Sequence, residues 1–229
     1  MASKSRNHTL YVIKLKEGLH FFETSSLNKT DILNLNSITK KTSEVYKKIK
    51  LISLSNDFLI LPSVLNKFLS IESIGKTLSK ANIYNFKKNQ VNDIEIYFKE
   101  NYKNKYISSY HHISEILISN KNTNSKTLLL ILFIDDKILV ILFKKGKLLF
   151  YNQFKYVKNS FAKYIFMVFE EYGLKKETLE INIIDSFSFN SKIKNEFLKY
   201  FNKIVMYKKS FSEIITCNVY KNSSFSWYF

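Results

Sequence analysis

The chain has 229 residues, of which 45% are hydrophobic and 16% aromatic. This content is enough to bury a substantial core, which excludes a wholly disordered protein. The formal net charge of +17 would attract polyanions, but a lysine-rich solvated surface is the favoured explanation and a nucleic-acid partner is not expected. Only Arg6 among the 36 basic residues is arginine, whereas nucleic-acid readers favour the bidentate guanidinium group. Abundant Lys, Asn, Ile, Phe and Tyr indicate a genome rich in A and T.

The compartment is inferred from cysteine usage and from the hydrophobic segments. Cys217 is the one cysteine, so no disulfide forms within the chain and a reducing compartment is expected. The amino terminus is short and polar and lacks the apolar core of a signal peptide. The most hydrophobic segment, residues 128–143, is interrupted by Asp135, Asp136 and Lys137 well short of a membrane span. We therefore expect a cytoplasmic protein with no membrane partner.

The first half of the chain predicts hairpins followed by helix, strand and helix. Apolar runs separated by polar turns predict two hairpins, at residues 9–15 with 19–24 and at 49–54 with 58–61. Pro62 suits the first turn of a helix that carries Leu65 and Phe68. Residues 93–98 alternate as a strand, and a second helix is expected over about residues 106–118.

The second half has a clearer pattern, in which the hydrophobic period changes in a recognisable order. Three apolar runs predict an antiparallel meander, at residues 127–134, 138–143 and 148–154. Apolar positions from Phe161 to Tyr172 follow helical spacing, with Ser160 as N-cap and Gly173 as a stop. A strand, a helix and a strand follow, at residues 179–184, about 191–202 and 204–207. This order is the ribonuclease H-like plan.

The polar segment 119–126 has no periodicity and is the best candidate for a linker. It would separate an N-terminal ribonuclease H-like half, residues 1–118, from a C-terminal half, residues 127–229. No residue-level repeat relates the halves, so their duplication is inferred from architecture. Two such halves, each with a mixed sheet and flanking helices, predict an α/β (α+β) protein of actin-like ATPase architecture.

A resemblance to a known family supports this prediction. Residues 148–156, running into the helix that begins at Phe161, resemble domain of unknown function 3822, an uncharacterised Bacteroidota family. The strand 58–61 that ends at Pro62 is similar to the same family, as is the segment 110–117. The resemblance covers most of the chain. It implies an actin-like ATPase fold in a cytoplasmic protein with no established activity.

The phosphate-binding hairpins of this fold are incomplete in the sequence. Nucleotide-hydrolysing members carry an acidic residue and a nearby glycine on each of two hairpins, for Mg²⁺ and for the phosphates. The first hairpin here offers Lys16, Glu17 and Gly18, and the second offers Asp135 and Asp136 without a glycine. Any ATP and Mg²⁺ would be held by Lys16, Gly18, Asp135 and Asp136. Simple polar turns explain both segments better, so neither a cofactor nor a metal is expected.

Other chemistries have weaker support. A nuclease would gather carboxylates such as Asp185, Asp93 and Asp135 at strand ends. His111 and His112 are adjacent on a predicted helix, so they cannot form the i, i+4 pair of zinc helices. Composition allows a Ser-His-Asp triad, but no G-x-S-x-G elbow presents a nucleophile. The aromatic tail 225–229 either packs onto the body of the protein or binds a partner.

The sequence therefore favours a non-catalytic scaffold or interaction module over an enzyme. One alternative is an ATP-binding protein with an unconventional site that uses Lys14 and Lys16 with Asp135 or Asp136. A further alternative is an RNA-associated protein that uses lysine clusters such as those at residues 40–41, 47–50 and 103–105. The protein partner is left open, and a second copy of the chain is one candidate.

Overall fold

The computed structural model describes residues 6–16, 18–23, 38–68, 73, 76–77, 86–119, 127–158, 160–175, 179–186, 188–201 and 204–215. These residues fall into two compact units. The first comprises residues 6–119 together with Ile215, and the second comprises residues 127–214. The predicted linker lies outside the described residues except for Ser119, so the linker remains a prediction. Glu17, Cys217 and the aromatic tail 225–229 also lie outside them.

The first unit is built on a four-stranded sheet of order β2-β1-β3-β7. In chain order, the strands of the whole unit are β1 (Arg6–Leu15), β2 (Gly18–Glu23), β3 (Tyr46–Ser53), β4 (Phe58–Pro62), β5 (Lys87–Val91), β6 (Ile94–Phe98) and β7 (Ser109–His112). Its helices are α1 (Lys40–Val45) and α2 (Ile113–Ser119). Strands β1 and β2 form the predicted antiparallel hairpin, whereas β3 pairs in parallel with both β1 and β7.

The second predicted hairpin of this unit does not form. Strand β3 lies inside the four-stranded sheet, while β4 belongs to a separate three-stranded sheet of order β4-β6-β5. The physical reason is burial: Leu51 and Ile52 are both fully buried although successive side chains point to opposite faces. A strand inside a sheet can be covered on both faces by elements packed on that sheet, whereas an isolated two-stranded hairpin leaves its side chains largely exposed.

Both helices predicted in the first half differ in the structure. Pro62 ends β4 and is followed by a short 3₁₀ helix, Ser63–Lys67, that includes Leu65. Residues 109–112 of the second predicted helix pair with β3 as strand β7, and the helix α2 begins only at Ile113. The side-chain amide of Asn89 bonds the outer edge of β7, with 3.1 Å to the Tyr110 carbonyl and 3.2 Å to the His112 N–H. Tertiary pairing therefore overrides the local helical pattern.

The second unit agrees with the predicted order of elements. Its strands are β8 (Thr127–Ile134), β9 (Lys137–Lys144), β10 (Lys147–Lys155), β11 (Ile181–Ile184) and β12 (Ile204–Met206). The predicted helices are α3 (Ala162–Glu171) and α4 (Ser191–Leu198), and residues 211–214 are helical as well. The sheet order is β10-β9-β8-β11-β12. The meander β8-β9-β10 is antiparallel, and β11 pairs in parallel with β8 and β12.

Aromatic side chains form much of the core of this unit. The ring of Phe161, at the start of α3, stacks on Phe197 of α4 with centroids 5.1 Å apart, and Phe133 of β8 meets Phe161 edge-on at 5.9 Å. Gly173 follows the C-terminal cap of α3, Tyr172, and its φ of 59° lets the Leu174 N–H donate to the Phe169 carbonyl at 2.8 Å. Helix α4 begins at Asn190, whose side chain accepts hydrogen bonds from two backbone N–H groups.

Within the part of the chain that the structure describes, no helix has the length and apolarity needed to cross a membrane.

We predict that Phe197→Ala lowers the free energy of unfolding by about 3–5 kcal/mol, because it leaves a cavity beneath α3. The side chain of Phe197 is 0% exposed. The matched control is Leu198→Ala on the same helix, where the side chain is 46% exposed and little burial is lost. Urea unfolding measures both changes, and equal losses for the two variants would contradict this account of the core.

A second prediction concerns the buried Glu95 of β6. Its carboxylate accepts a 2.6 Å hydrogen bond from the Tyr97 hydroxyl and lies 2.7 Å from the Lys88 ammonium. Because this bond is to a charged group, Tyr97→Phe is expected to cost about 1.5–3 kcal/mol at neutral pH. Tyr200→Phe, on an exposed ring, is the control and is expected to change stability by less than about 0.5 kcal/mol.

The cost of Tyr97→Phe should depend on pH. Burial, and then the hydrogen bond to Glu95, raise the pKa of Tyr97 above its ordinary value. The stabilisation that this proton provides is complete below the unfolded pKa of about 10 and is lost as pH rises through the folded value. The stability difference between wild type and variant should therefore shrink in alkaline urea titrations. A stability difference that grows with pH would contradict a raised pKa of Tyr97 in the folded protein.

Candidate functional site

The first predicted phosphate turn joins β1 to β2. Gly18 has a φ of 138°, a conformation that favours glycine, and it pairs with Leu15 across the hairpin. Lys16 is exposed on this turn. Lys14, the other lysine considered for phosphates, lies with its ammonium nitrogen 5.4 Å from the ring centroid of Tyr102. This cation–π contact gives Lys14 a partner within the first unit.

The second predicted phosphate turn, Asp135 and Asp136, joins β8 to β9. Since Ile134 pairs with Lys137, only two residues make the turn, and Asp135 takes a φ of 55° that is uncommon for residues other than glycine. The Asp135 N–H donates to the Ser188 hydroxyl at 2.9 Å, and the Asp136 carbonyl accepts from the Tyr156 N–H at 2.6 Å. Backbone groups of this turn are therefore engaged within the second unit.

The predicted site residues thus lie on two turns, one in each unit. The structure brings Lys16 close to Gly18 and Asp135 close to Asp136. That all four share one ATP site remains a prediction. Of the proposed nuclease carboxylates, Asp93 is in the first unit and Asp185 in the second. Among the described residues, no group of three or more His, Cys, Asp or Glu side chains could hold a metal ion.

A different polar cluster lies on one face of the first sheet. Tyr11, Lys50 and Ser109 are in register on the adjacent strands β1, β3 and β7. His111 is two residues beyond Ser109 on β7, and strand alternation places it on the same face. Glu115 reaches this face from the first turn of α2. We call these five residues the sheet cluster.

Two hydrogen bonds link three members of the sheet cluster in a chain. Nε2 of His111 lies 2.9 Å from the Ser109 hydroxyl oxygen, and Nδ1 lies 2.8 Å from Oε2 of Glu115. An ionised carboxylate only accepts, so a neutral imidazole donates its Nδ1–H to Glu115 and accepts from the Ser109 hydroxyl at Nε2. The side chains of His111 and Glu115 are 19% and 13% exposed, which partly shields the chain from water.

The negative charge of Glu115 also influences the pKa values of Tyr11 and Lys50 in the sheet cluster. Burial, and secondarily the Glu115 charge, raise the pKa of Tyr11 to about 12. Burial lowers the pKa of Lys50, against the opposing attraction of Glu115. The Lys50 ammonium nitrogen lies 5.7 Å from the ring centroid of Tyr11. The cluster therefore combines a serine, a base, a carboxylate and a partly desolvated cation.

The two histidines differ from the sequence prediction in their secondary structure. They lie on a strand, so their side chains alternate, and His112 is fully buried on the opposite face from His111. Its ring lies between Phe58 and Phe98, with centroids 4.9 and 5.4 Å away. Sequence reasoning missed Ser109 and Glu115. The signal available was a serine and a histidine in alternate positions, followed four residues later by an acid.

Comparison with solved structures bears on the fold. A protein from Bacteroides thetaiotaomicron VPI-5482, described as having an actin-like ATPase fold and unknown function, matches with a TM-score of 0.70. The match has 16% identity and covers 95% of this chain and 99% of that chain. A structure described as an Alp12 filament matches at 12% identity over 95% of this chain and 98% of that chain, but its TM-score of 0.39 is too low to indicate a shared fold. A search of curated proteins found no significant match.

The structural likeness at this identity shows the fold, which is the predicted actin-like ATPase fold, and leaves function open. The predicted family is confirmed independently. A family model described as "Protein of unknown function (DUF3822)" matches residues 28–204, which is more than half of the chain. The chain belongs to the DUF3822 family.

Proposed function

We propose that this DUF3822 protein is a non-catalytic scaffold or interaction module of the cytoplasm that does not hydrolyse nucleotides. The single observation that carries this proposal is the engagement of the β8–β9 turn by its own unit. In a nucleotide-binding hairpin, glycine lets backbone N–H groups approach the phosphate oxygens. Here the Asp135 N–H already donates to Ser188, and a side chain stands where glycine would be.

The surroundings of this turn further support a structural role. The Ser186 hydroxyl donates to the carbonyl of Phe133 at the end of β8, two residues before the turn. Tyr156, which donates its N–H to Asp136, also packs its ring edge-on against Phe133 with centroids 5.9 Å apart. A phosphate that competed for the Asp135 N–H would have to replace a bond within this packed corner. The stabilisation that it gained would be correspondingly reduced.

An exposed apolar surface supports the interaction role. Strand β12 is at the edge of the sheet in the described part of the second unit, and Val205 and Met206 on it are substantially exposed. An edge strand with apolar side chains is a natural place for another chain to add. The partner that we propose is a protein, and a second copy of this chain is one candidate that sedimentation velocity would identify.

The RNA-associated alternative has less support from the lysine environments. Lys50 is half-buried beside Tyr11, and the Lys105 ammonium nitrogen lies 5.2 Å from the ring centroid of Tyr106. Lys40 is 3.9 Å from the Glu44 carboxylate one helical turn away. One lysine in each of the three predicted clusters therefore already has a partner within the first unit.

We predict that isothermal titration with ATP gives no saturable heat up to about 1 mM, a range that detects binding free energies near −4 kcal/mol. The physical reason is the engagement of the Asp135 N–H by Ser188. The result should be the same with and without Mg²⁺.

The variants for this titration are the double substitution Asp135→Asn with Asp136→Asn, and Asp93→Asn as a matched control on an exposed turn of the first unit. Saturable, magnesium-dependent binding that the double variant loses and the control keeps would overturn the proposal. It would favour the ATP-binding alternative, with turnover as the next assay.

A further inference from the structure

The hydrogen-bonded chain of Ser109, His111 and Glu115 has no role in the proposed function. We propose that Ser109 is an activated nucleophile that accepts an acyl group from an activated ester or thioester. His111 is the general base, and Glu115 is the positioning residue that orients His111. The acylation is a single covalent modification without turnover, so it is compatible with the non-catalytic interaction role and goes beyond it. It is also separate from the nucleotide turns.

The distances meet the requirement for general-base activation. A nucleophile and its base should lie within about 2.6–3.2 Å, and a third group should orient the base. The Ser109–His111 and His111–Glu115 separations, 2.9 and 2.8 Å, both fall within this range. Such a serine is ordinarily a polar side chain whose hydroxyl supplies a hydrogen-bond partner to the histidine ring. The ordered sequence of hydroxyl, imidazole and carboxylate distinguishes this group from that simpler case.

Glu115 determines which nitrogen of His111 is free to act as a base. In a neutral imidazole, Nδ1 donates its proton to the carboxylate 2.8 Å away, and Nε2 is then unprotonated where it faces the Ser109 hydroxyl. An imidazole in the other tautomer would present an N–H to Ser109 and could not remove its proton. The carboxylate also stabilises the imidazolium that forms when the proton is transferred.

The fold holds this geometry rigidly. Strand β7 leads directly into α2 at Ile113, and the three residues at the junction, His112, Ile113 and Ser114, are all fully buried. Nδ1 of His112 lies 2.6 Å from the Ser114 hydroxyl, and Nε2 lies 3.1 Å from the Ser55 carbonyl. The anchored junction fixes the angle between the strand that carries His111 and the helix that carries Glu115. Preorganisation of this kind reduces the cost of reaching the reactive arrangement.

Lys50 adds a favourable charge beside the nucleophile. It is the direct neighbour of Ser109 on β3, in register and on the same face of the sheet. Partial burial increases the influence of its ammonium group on nearby developing charge, because the local dielectric is lower than in water. A cation on this face of the sheet would attract a negative oxygen that forms during attack by Ser109.

The covalent step is balanced without an additional reactant. The Ser109 oxygen attacks the carbonyl carbon and forms a new C–O bond, while its proton passes to Nε2 of His111. The bond from the carbonyl carbon to the leaving alkoxide or thiolate then breaks. The leaving group takes the proton from Nε2, so His111 returns to its neutral form and Ser109 carries an ester.

The test uses a fluorophosphonate probe on the full chain, followed by mass spectrometry of the adduct. The serine oxygen displaces fluoride from phosphorus in one step that depends on the same activation. We expect one adduct on wild type, mapped to Ser109, and none there in Ser109→Ala. The control is Ser43→Ala on α1, whose hydroxyl donates to the Lys40 carbonyl at 2.7 Å, and its labelling should equal that of wild type.

His111→Ala should label at least about 100-fold more slowly, in line with the usual contribution of a general base. Free imidazole should restore part of that rate, but it should not restore labelling to Ser109→Ala. Glu115→Gln should slow labelling about tenfold or more while its circular dichroism spectrum matches that of wild type. Imidazole rescue distinguishes a base from a side chain that merely supports the fold.

Several outcomes would overturn the proposal. These are failure of wild type to label, adducts on other serines only, or equal labelling rates for wild type and a folded His111→Ala. The ATP titration is a separate readout, since neither Ser109 nor His111 belongs to the nucleotide turns. A negative labelling result therefore leaves the interaction proposal intact, and a positive ATP result leaves the serine proposal intact.

Discussion

Burial of both faces of the central strands is the constraint on which the rest of the structure depends. In the second unit, every side chain from Leu128 to Ile134 and from Ile138 to Phe143 is buried. Such strands need neighbours on both edges and a covering layer, which α3 and α4 help to supply through Phe161 and Phe197. Because the pairing continues to Ile134 and Lys137, the turn between them has only two residues. The positive φ of Asp135 follows from that short connection.

The core of this fold and the phosphate-binding turns of its nucleotide-hydrolysing members depend on different parts of the chain. Core packing of the sheet depends on apolar side chains, and the TM-score of 0.70 shows that the backbone fold is shared with a protein of actin-like ATPase fold. Phosphate binding depends on a few backbone N–H groups at turns, and these can be used for internal hydrogen bonds without disturbing the core. Ser188 and Tyr156 use two backbone groups of the β8–β9 turn in this way. Internal hydrogen bonds at this turn are therefore compatible with the packed core.

Strand pairing in the first unit brings the side chains of the sheet cluster together. Had residues 109–112 continued the helix, Ser109 and His111 would have been about 200° apart around its axis. As a strand, they share one face, and the abrupt change to helix at Ile113 brings Glu115 to the other nitrogen of His111. The hydrogen-bonded chain of Ser109, His111 and Glu115 therefore depends on the change from strand to helix at Ile113.

Local pattern alone determined the second unit and the β1–β2 hairpin, because apolar periodicity over runs of about seven residues specifies element type with little help from distant contacts. The fold class followed from those elements, whereas the family followed from the resemblance of segments such as residues 148–156. Tertiary structure decided the pairing of β3, the separate sheet that contains β4, and the strand at residues 109–112, since each depends on partners distant in sequence. It alone also decided the engagement of Asp135 by Ser188 and the contact of His111 with Glu115. Hydrogen bonds between side chains depend on geometry that periodicity does not encode.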